Sequence, residues 1–379
     1  MRAASTALAA AAVTAWAPCP AAAQAQDYPC AAPAESTAPA AQPWVAPLRQ
    51  LATGAGVRVA VIDTGVAPSP ELDQVLPGAD LVSPQAPDPL FDCDLHGTVV
   101  AGVIAGNSAG IAPAAEIISV RQTSAHYRDA GGNDGGAGSV ATLAEAINNA
   151  LDIGARVINI SVVSCLDPAS AARLDASPLD AALARAEAGG AIVVAAAGNV
   201  TSECAQGSTV IPAHSPTVLA VGAREDAHQL AEYSVAAPQG ALALSAPGRV
   251  EASPAPGAGW AAGTLGGRGE VIPFEGTSFA APVLSGSIAL LLERQPSLSP
   301  AQVREIVAAA AEPAGGAIEP YAVATQLLPG PPAQRERIAI TPTAEATSSA
   351  AARWQLLAWV LSGLGAFLLA ARALLRGRR

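Results

Sequence analysis

Six short apolar runs, five of them carrying β-branched residues, are separated by stretches of helical composition and leave this chain few folds to adopt. The runs at 57–62, 116–120, 156–160, 191–197, 217–222 and 242–246 read as strands, and Val57 to Ile62, apolar but for Arg58, has the character of a central parallel strand. Helices are expected at 97–106, 139–153, 175–188, 277–293 and 299–311. The last opens Ser299-Pro300-Ala301-Gln302, a capping box with proline at the first helical position. Strand and helix alternate as a parallel sheet requires, so the expected class is α/β, a doubly wound parallel sheet with helices on both faces. No internal repeat is visible. Gly-rich 129–138 and 252–269 read as mobile surface loops, the first being open to a regulatory or cleaved role as well.

Open sheets of this kind collect their sites beyond the C-terminal ends of the strands. Val57 to Ile62 ends in Asp63-Thr64-Gly65, which places a carboxylate there, although Asp-x-Gly alone also marks a plain turn. Further on, Glu275-Gly276-Thr277-Ser278-Phe279-Ala280-Ala281-Pro282 leads into a nearly unbroken apolar helix. Ser278 then has its backbone N–H at a helix N-terminus, where developing negative charge is favoured. Taken alone, Gly-Thr-Ser reads equally well as a helix cap.

A serine nucleophile needs a base, and the base needs an orienting group. All twenty basic residues are arginine, which excludes a Ser-Lys dyad, a P-loop lysine and Schiff-base chemistry. Four histidines remain. His126 sits in a Gly-rich polar loop, His228 in a charged turn, and His214 in the turn Ile-Pro-Ala-His-Ser-Pro. His96 opens His-Gly-Thr-Val-Val-Ala-Gly-Val-Ile-Ala-Gly, a small-residue helix able to pack closely on a sheet, and is the expected base. The triad Asp63, His96, Ser278 runs in the order Asp, His, Ser, which chymotrypsin-like and α/β-hydrolase enzymes do not use. This chemistry calls for no metal and no cofactor, and no cluster such as His-Glu-x-x-His occurs.

Val-Ile-Asp-Thr-Gly, His-Gly-Thr-Val-Val-Ala-Gly and Gly-Thr-Ser-Phe-Ala-Ala-Pro resemble the three catalytic blocks of the subtilisin-like serine peptidases. Gly110-Ile111-Ala112-Pro113, Leu244-Ser245-Ala246-Pro247-Gly248 and the Val218-to-Gly222 strand are similar to supporting blocks of that family, and the resemblance covers residues 50–312. It implies that Asn199, after the apolar strand Ala191 to Ala197, is the side-chain donor of an oxyanion hole shared with the Ser278 N–H. It also implies that Ser161 starts the segment that pairs with substrate backbone. Val162 and Val163 follow where many subtilisins carry glycine, and their methyl groups would narrow one wall of the first specificity pocket.

The ends of the chain add a compartment. Residues 1–25 read as a signal peptide, with Arg2, an apolar run from Ala7 to Trp16 and the small-x-small site Ala23-Gln24-Ala25. Its removal discards Cys19 and leaves Cys30, Cys93, Cys165 and Cys204, an even set that suggests two disulfides with three possible pairings. Cys165 and Cys204 each follow the end of a strand on the same sheet edge, which favours Cys165–Cys204 and leaves Cys30–Cys93. Residues 26–50, rich in Ala and Pro and without helical or strand periodicity, read as a clasp stapled through Cys30 rather than a folded pro-domain. Residues 51–326 are the expected peptidase domain and 327–352 a Pro-, Ala- and Thr-rich linker. Residues 353–372 approach the roughly 20 needed for one bilayer crossing, and 373–379 form a basic tail suited to the cytoplasmic side. The net charge of −11 argues against nucleic acid as a partner.

This layout resembles the mycosins, membrane-anchored peptidases of type VII secretion systems in actinobacteria. Ile118-Ser119-Val120-Arg121-Gln122-Thr123-Ser124 and the cysteine three residues before His96 are similar to features of that family. The resemblance implies a single-pass cell-membrane protein whose catalytic domain lies outside the cytoplasm and cleaves exported proteins beside a type VII secretion membrane complex. A scaffold that stabilises that complex, with proteolysis secondary, is the alternative it leaves open.

Overall fold

In a strand successive side chains point to opposite faces, and here both faces are filled. Val59 and Val61 join one buried cluster and Ala60 and Ile62 the other, and Ile192, Val193, Val194 and Ala195 divide in the same alternating way. The computed structural model describes residues 29–40, 42–126, 138–226, 228–257, 259–313, 315–328 and 349–376. The expected signal peptide, most of the expected linker and the last three residues of the expected tail lie outside these residues.

The main sheet has seven strands. Across it the order is Leu244–Pro247, Val218–Arg224, Ile192–Ala196, Val157–Ile160, Arg58–Asp63, Glu116–Arg121 and Val75–Asp80, every neighbour parallel. One face is covered by His96–Ala105 and Thr277–Arg294, through residues such as Val100, Ile104, Leu284 and Ile288. The other is covered by Val140–Asp152 and Ser177–Ala188, through Leu143, Ile147, Leu179 and Ala182. This is the doubly wound α/β sheet that the sequence pattern predicts. The chain winds from Arg58–Asp63 toward the Val75–Asp80 edge and then crosses to Val157–Ile160 on the other side. Arg58–Asp63 therefore lies at the switch point, where the connections part and open a crevice at the C-terminal edge.

Two readings need correction. Residues 252–269 are not a plain surface loop: Ser253–Pro254 and Trp260–Leu265 are strands of an antiparallel sheet that also holds Val271–Glu275 and Arg249–Val250. Its strands are rich in Ala, Gly and Pro, so no run of β-branched residues announces them. Residues 26–50 are not without regular structure either. Pro33–Ser36 pairs antiparallel with Trp260–Leu265, and Val45–Leu51 is a short helix that buries Val45 and Leu48. Disulfides join Cys30 to Cys93 and Cys165 to Cys204. The other Gly-rich stretch, 129–138, lies almost wholly outside the described residues.

The chain separates into two units, Met1–Pro329 and Gly330–Arg379. In the second, Ser349–Arg376 is one helix whose segment from Ala350 is long and apolar enough to cross a membrane, with mean hydropathy 1.8. It extends past the expected 353–372 at both ends.

Candidate active site

The crevice at the switch point gathers five of the expected site residues, Asp63, His96, Ser161, Asn199 and Ser278, from five segments. Asp63 ends its strand fully buried, and His96 opens the helix that crosses above it. Close packing permits the approach: a Cβ on Gly97 would lie 2.0 Å from the Gly65 carbonyl oxygen. His96 Nδ1 stands 2.7 Å from Asp63 Oδ1, which also accepts the Thr64 N–H at 2.8 Å. An ionised carboxylate only accepts, so this contact makes Nδ1 the protonated nitrogen and leaves Nε2 as the basic one. Asp63 Oδ2 is buried with no hydrogen-bond partner among the described residues.

Ser278 sits at the second position of the helix Thr277–Arg294, and its placement follows from Pro282 in the same helix. Proline has no N–H, so the Ser278 carbonyl lacks its helical donor. The Ser161 hydroxyl supplies one at 2.9 Å, while Ser278 Oγ donates to the Ser161 carbonyl at 3.0 Å. Ser161 Oγ in turn accepts from Asn159 Nδ2 at 2.8 Å, and Asn159 Oδ1 accepts from Ser285 Oγ at 2.8 Å. Buried polar atoms thus tie the nucleophile's peptide to the end of the strand beside Asp63. The Ser278 hydroxyl donates to that strand end, and among the described residues it makes no hydrogen bond to His96; the contact of a nucleophile with its base commonly forms only with substrate in place.

Asn199, three residues beyond the end of the strand Ile192–Ala196, reaches the same helix start. Its Oδ1 accepts both the backbone N–H and the hydroxyl of Thr277, each at 3.0 Å. Two donors on one oxygen fix the amide orientation, and Nδ2 is left as the donor turned toward the turn before Ser278. A Cβ on Gly276 would meet that nitrogen at 2.9 Å, so glycine keeps the space around it open. The Ser278 N–H and Asn199 Nδ2 are then two donors at a helix N-terminus, an arrangement suited to an oxyanion.

Burial of the imidazole opposes protonation, but the Asp63 charge and hydrogen bond, with Asp92 and Asp94 adding to them, hold the His96 pKa above its ordinary value. Asp92 is a second buried carboxylate that burial pushes up to about 6 against the opposing hydrogen bonds from Thr98 and Thr64. Beside Ser161, Val162 and Val163 line a cavity of about 90 Å³ with Leu143, Ile211 and Gln122.

The other histidines stay apart from this cluster. His214 Nδ1 accepts the Val210 N–H at 3.2 Å, and the backbone of His228 donates to Asp226 in a turn. His126 closes its own turn by donating its N–H to Ser124 Oγ. Among the described residues no group of His, Cys, Asp and Glu is disposed to hold a metal.

A family model described as the subtilase family, peptidase S8, matches residues 54–337. The chain belongs to that family. Mycosin-4 of Mycobacterium tuberculosis (strain ATCC 25618 / H37Rv) is 41% identical over 290 residues, 70% of this chain. The chain spans only 62% of that relative's length. The crystal structure of MycP1 from the ESX-1 type VII secretion system is 33% identical with a TM-score of 0.71, covering 81% of this chain and 92% of that one. A chain of the intact ESX-5 inner membrane complex is 29% identical with a TM-score of 0.70, covering 91% of this subtilase and 94% of that chain.

Asp92, Thr64 and Thr98 form a part of the site that the sequence reading missed. The signal was available as Asp92-Cys93-Asp94-Leu95-His96-Gly97-Thr98, two carboxylates in an apolar setting directly before the base.

Proposed function

We propose that this subtilase is a serine endopeptidase, and the observation that carries the reading is the 2.7 Å contact of His96 Nδ1 with buried Asp63 in the crevice that also receives Ser278. Ser278 Oγ attacks the scissile carbonyl carbon as His96 Nε2 takes its proton. Asp63 holds the imidazole tautomer and stabilises the imidazolium. Asn199 Nδ2 and the Ser278 N–H receive the charge on the tetrahedral oxygen, and His96 returns the proton to the leaving amine. Water then repeats the sequence on the acyl-enzyme. Ser161 offers its backbone to the substrate, and the methyl groups of Val162 and Val163 restrict the adjoining specificity pocket.

The setting completes the proposal. A signal peptide at 1–25 exports the chain, a linker at 327–352 follows the peptidase domain 51–326, and a helix at 353–372 anchors it with the basic tail 373–379 in the cytoplasm. The substrates are then exported proteins, and the partner is a type VII secretion membrane complex, by likeness to MycP1 and to the ESX-5 complex chain. Labelling of the full chain by a fluorophosphonate probe tests the chemistry: wild type should label and Ser278→Ala should not. A folded wild-type chain that stays unlabelled would sink it.

Likeness to a chain held in an inner membrane complex favours a second role as scaffold. Secretion measured in a strain carrying Ser278→Ala and in one lacking the chain separates the two. Secretion kept by the inactive chain and lost without it supports the scaffold.

A further inference from the structure

The helix that presents His96 begins without the usual means of support. Its N-cap residue, Leu95, is buried, gives no side-chain cap, and has a positive φ of 64°. Left-handed backbone is unfavourable for a branched side chain and persists only where its surroundings hold it. The first N–H groups of a helix also need acceptors from outside.

Both needs are met by Asp92 and Thr64. Asp92 Oδ2 accepts the Thr98 N–H at 2.8 Å and the Thr98 hydroxyl at 2.6 Å. Asp92 Oδ1 accepts the Thr64 hydroxyl at 2.8 Å and the Asp94 N–H at 3.2 Å. Thr64 Oγ1 then accepts the Gly97 N–H at 3.0 Å, and Thr98 Oγ1 accepts the Ala67 N–H at 2.9 Å. Four donors converge on the two oxygens, which only the ionised carboxylate can accept in full. Through these bonds one buried side chain grips the turn that carries Asp63, the left-handed turn before His96, and the first turn of the His96 helix.

We propose that Asp92 is a positioning residue of the triad: it clamps Thr64 and Thr98 so that the His96 imidazole is held over Asp63 before substrate arrives. Asp92 accepts its hydrogen bonds from Thr64, Asp94 and Thr98 and none from the imidazole, so beyond the charge it adds near His96 it acts through the two threonines, and the threonine variants, which leave that charge in place, separate the two effects. The alternative is a carboxylate that merely caps a helix and contributes to stability alone. The two differ in what happens to the Nδ1–Asp63 contact when Asp92 is changed and the fold survives.

The inference rests on the triad proposed above, so its test carries a readout that does not depend on turnover. In the full chain, the proton between His96 Nδ1 and Asp63 should give a far-downfield resonance that is absent from His96→Ala. In Asp92→Asn that resonance should shift or disappear, and fluorophosphonate labelling should slow by about tenfold to hundredfold, as a small misplacement of a catalytic group costs. Thr64→Val should reproduce part of the effect, and Thr64→Ser should restore it. Asp92→Asn with Thr64→Val should be no worse than Asp92→Asn alone, because the two act through one clamp. If Asp92→Asn does not fold, Thr64→Val and Thr98→Val carry the same comparison. An unchanged resonance with wild-type labelling in a folded Asp92→Asn chain overturns the proposal. So does slow labelling in Asp92→Asn with both threonine variants behaving as wild type. Wild type that fails to label, yet shows the resonance and loses it in Asp92→Asn, refutes the peptidase reading and leaves the positioning role standing.

Discussion

Substitution of Asn199 separates two things that this side chain does. Its Oδ1 accepts two donors from Thr277, itself only 1% exposed, and its Nδ2 is the expected oxyanion donor. Asn199→Ala removes both functions. Leaving buried Thr277 donors unpaired costs about 1–3 kcal/mol of stability, and losing an oxyanion donor costs about 10²–10³ in kcat, or about 3–4 kcal/mol in the transition state. Asn199→Asp keeps the acceptor and replaces the donor by a negative oxygen. It should retain the stability of the wild type, yet lose at least as much activity as Asn199→Ala, because a like charge now faces the developing oxyanion. Fluorophosphonate labelling and peptide hydrolysis report the activity, and chemical denaturation reports the stability. Asn199→Asp that keeps within tenfold of wild-type activity would refute the oxyanion assignment. Asn199→Ala as stable as wild type would refute the clamp on Thr277.

Charge at the base and the Cys30–Cys93 staple give three further outcomes. The Asp94 charge helps to raise the His96 pKa, and the base must be neutral to accept a proton, so activity falls as pH drops through that raised value. Asp94→Asn should lower the His96 pKa and move the acid limb of the pH–rate profile to lower pH; a limb that moves upward contradicts this. For stability the sign is opposite to that of a salt-bridged carboxylate: what charged His96 contributes is fully present below its ordinary value of 6.5 and is lost as pH rises through the raised one. Cys30→Ser opens a cross-link between residues 63 apart, which on chain entropy lowers stability by about 4 kcal/mol. Chemical denaturation of the purified chain measures it, and an unchanged midpoint and slope would remove the staple from the account.

The central strands and the packed helices were legible because their signals are local. β-Branched runs mark strands buried on both faces, and Ser299-Pro300-Ala301-Gln302 forms the capping box its sequence announces. Asp63 could be placed because a carboxylate at the end of such a strand has few other positions to occupy. Val75–Asp80 could not, since Pro77 and Gly78 break its pattern, and proline is tolerated only on an edge strand of this kind. Pro33–Ser36 gains its strand character from Trp260–Leu265, more than two hundred residues away in sequence. Asp92 escaped for a related reason. The apolar residues around it hint at burial, but the donors it meets, Thr64 and Thr98, are identified only by the tertiary structure.

Pro282 explains how the nucleophile becomes fixed to the sheet. Proline inside a helix normally costs about 3 kcal/mol, through a lost hydrogen bond and a clash with the preceding turn. Here the carbonyl it deprives is that of Ser278, and the replacement donor comes from Ser161 at the end of Val157–Ile160. That strand lies directly beside the Asp63 strand, with Ile62 paired to Ile160. Acid and nucleophile are therefore referenced to adjacent strands of one sheet, and the base is braced to the same edge through Asp63 and Thr64. A helix uninterrupted by proline would satisfy its own carbonyl at Ser278 and have no need of Ser161. The donor missing at Pro282 is what lets Ser161 join helix, strand end and serine into a unit whose geometry the sheet determines.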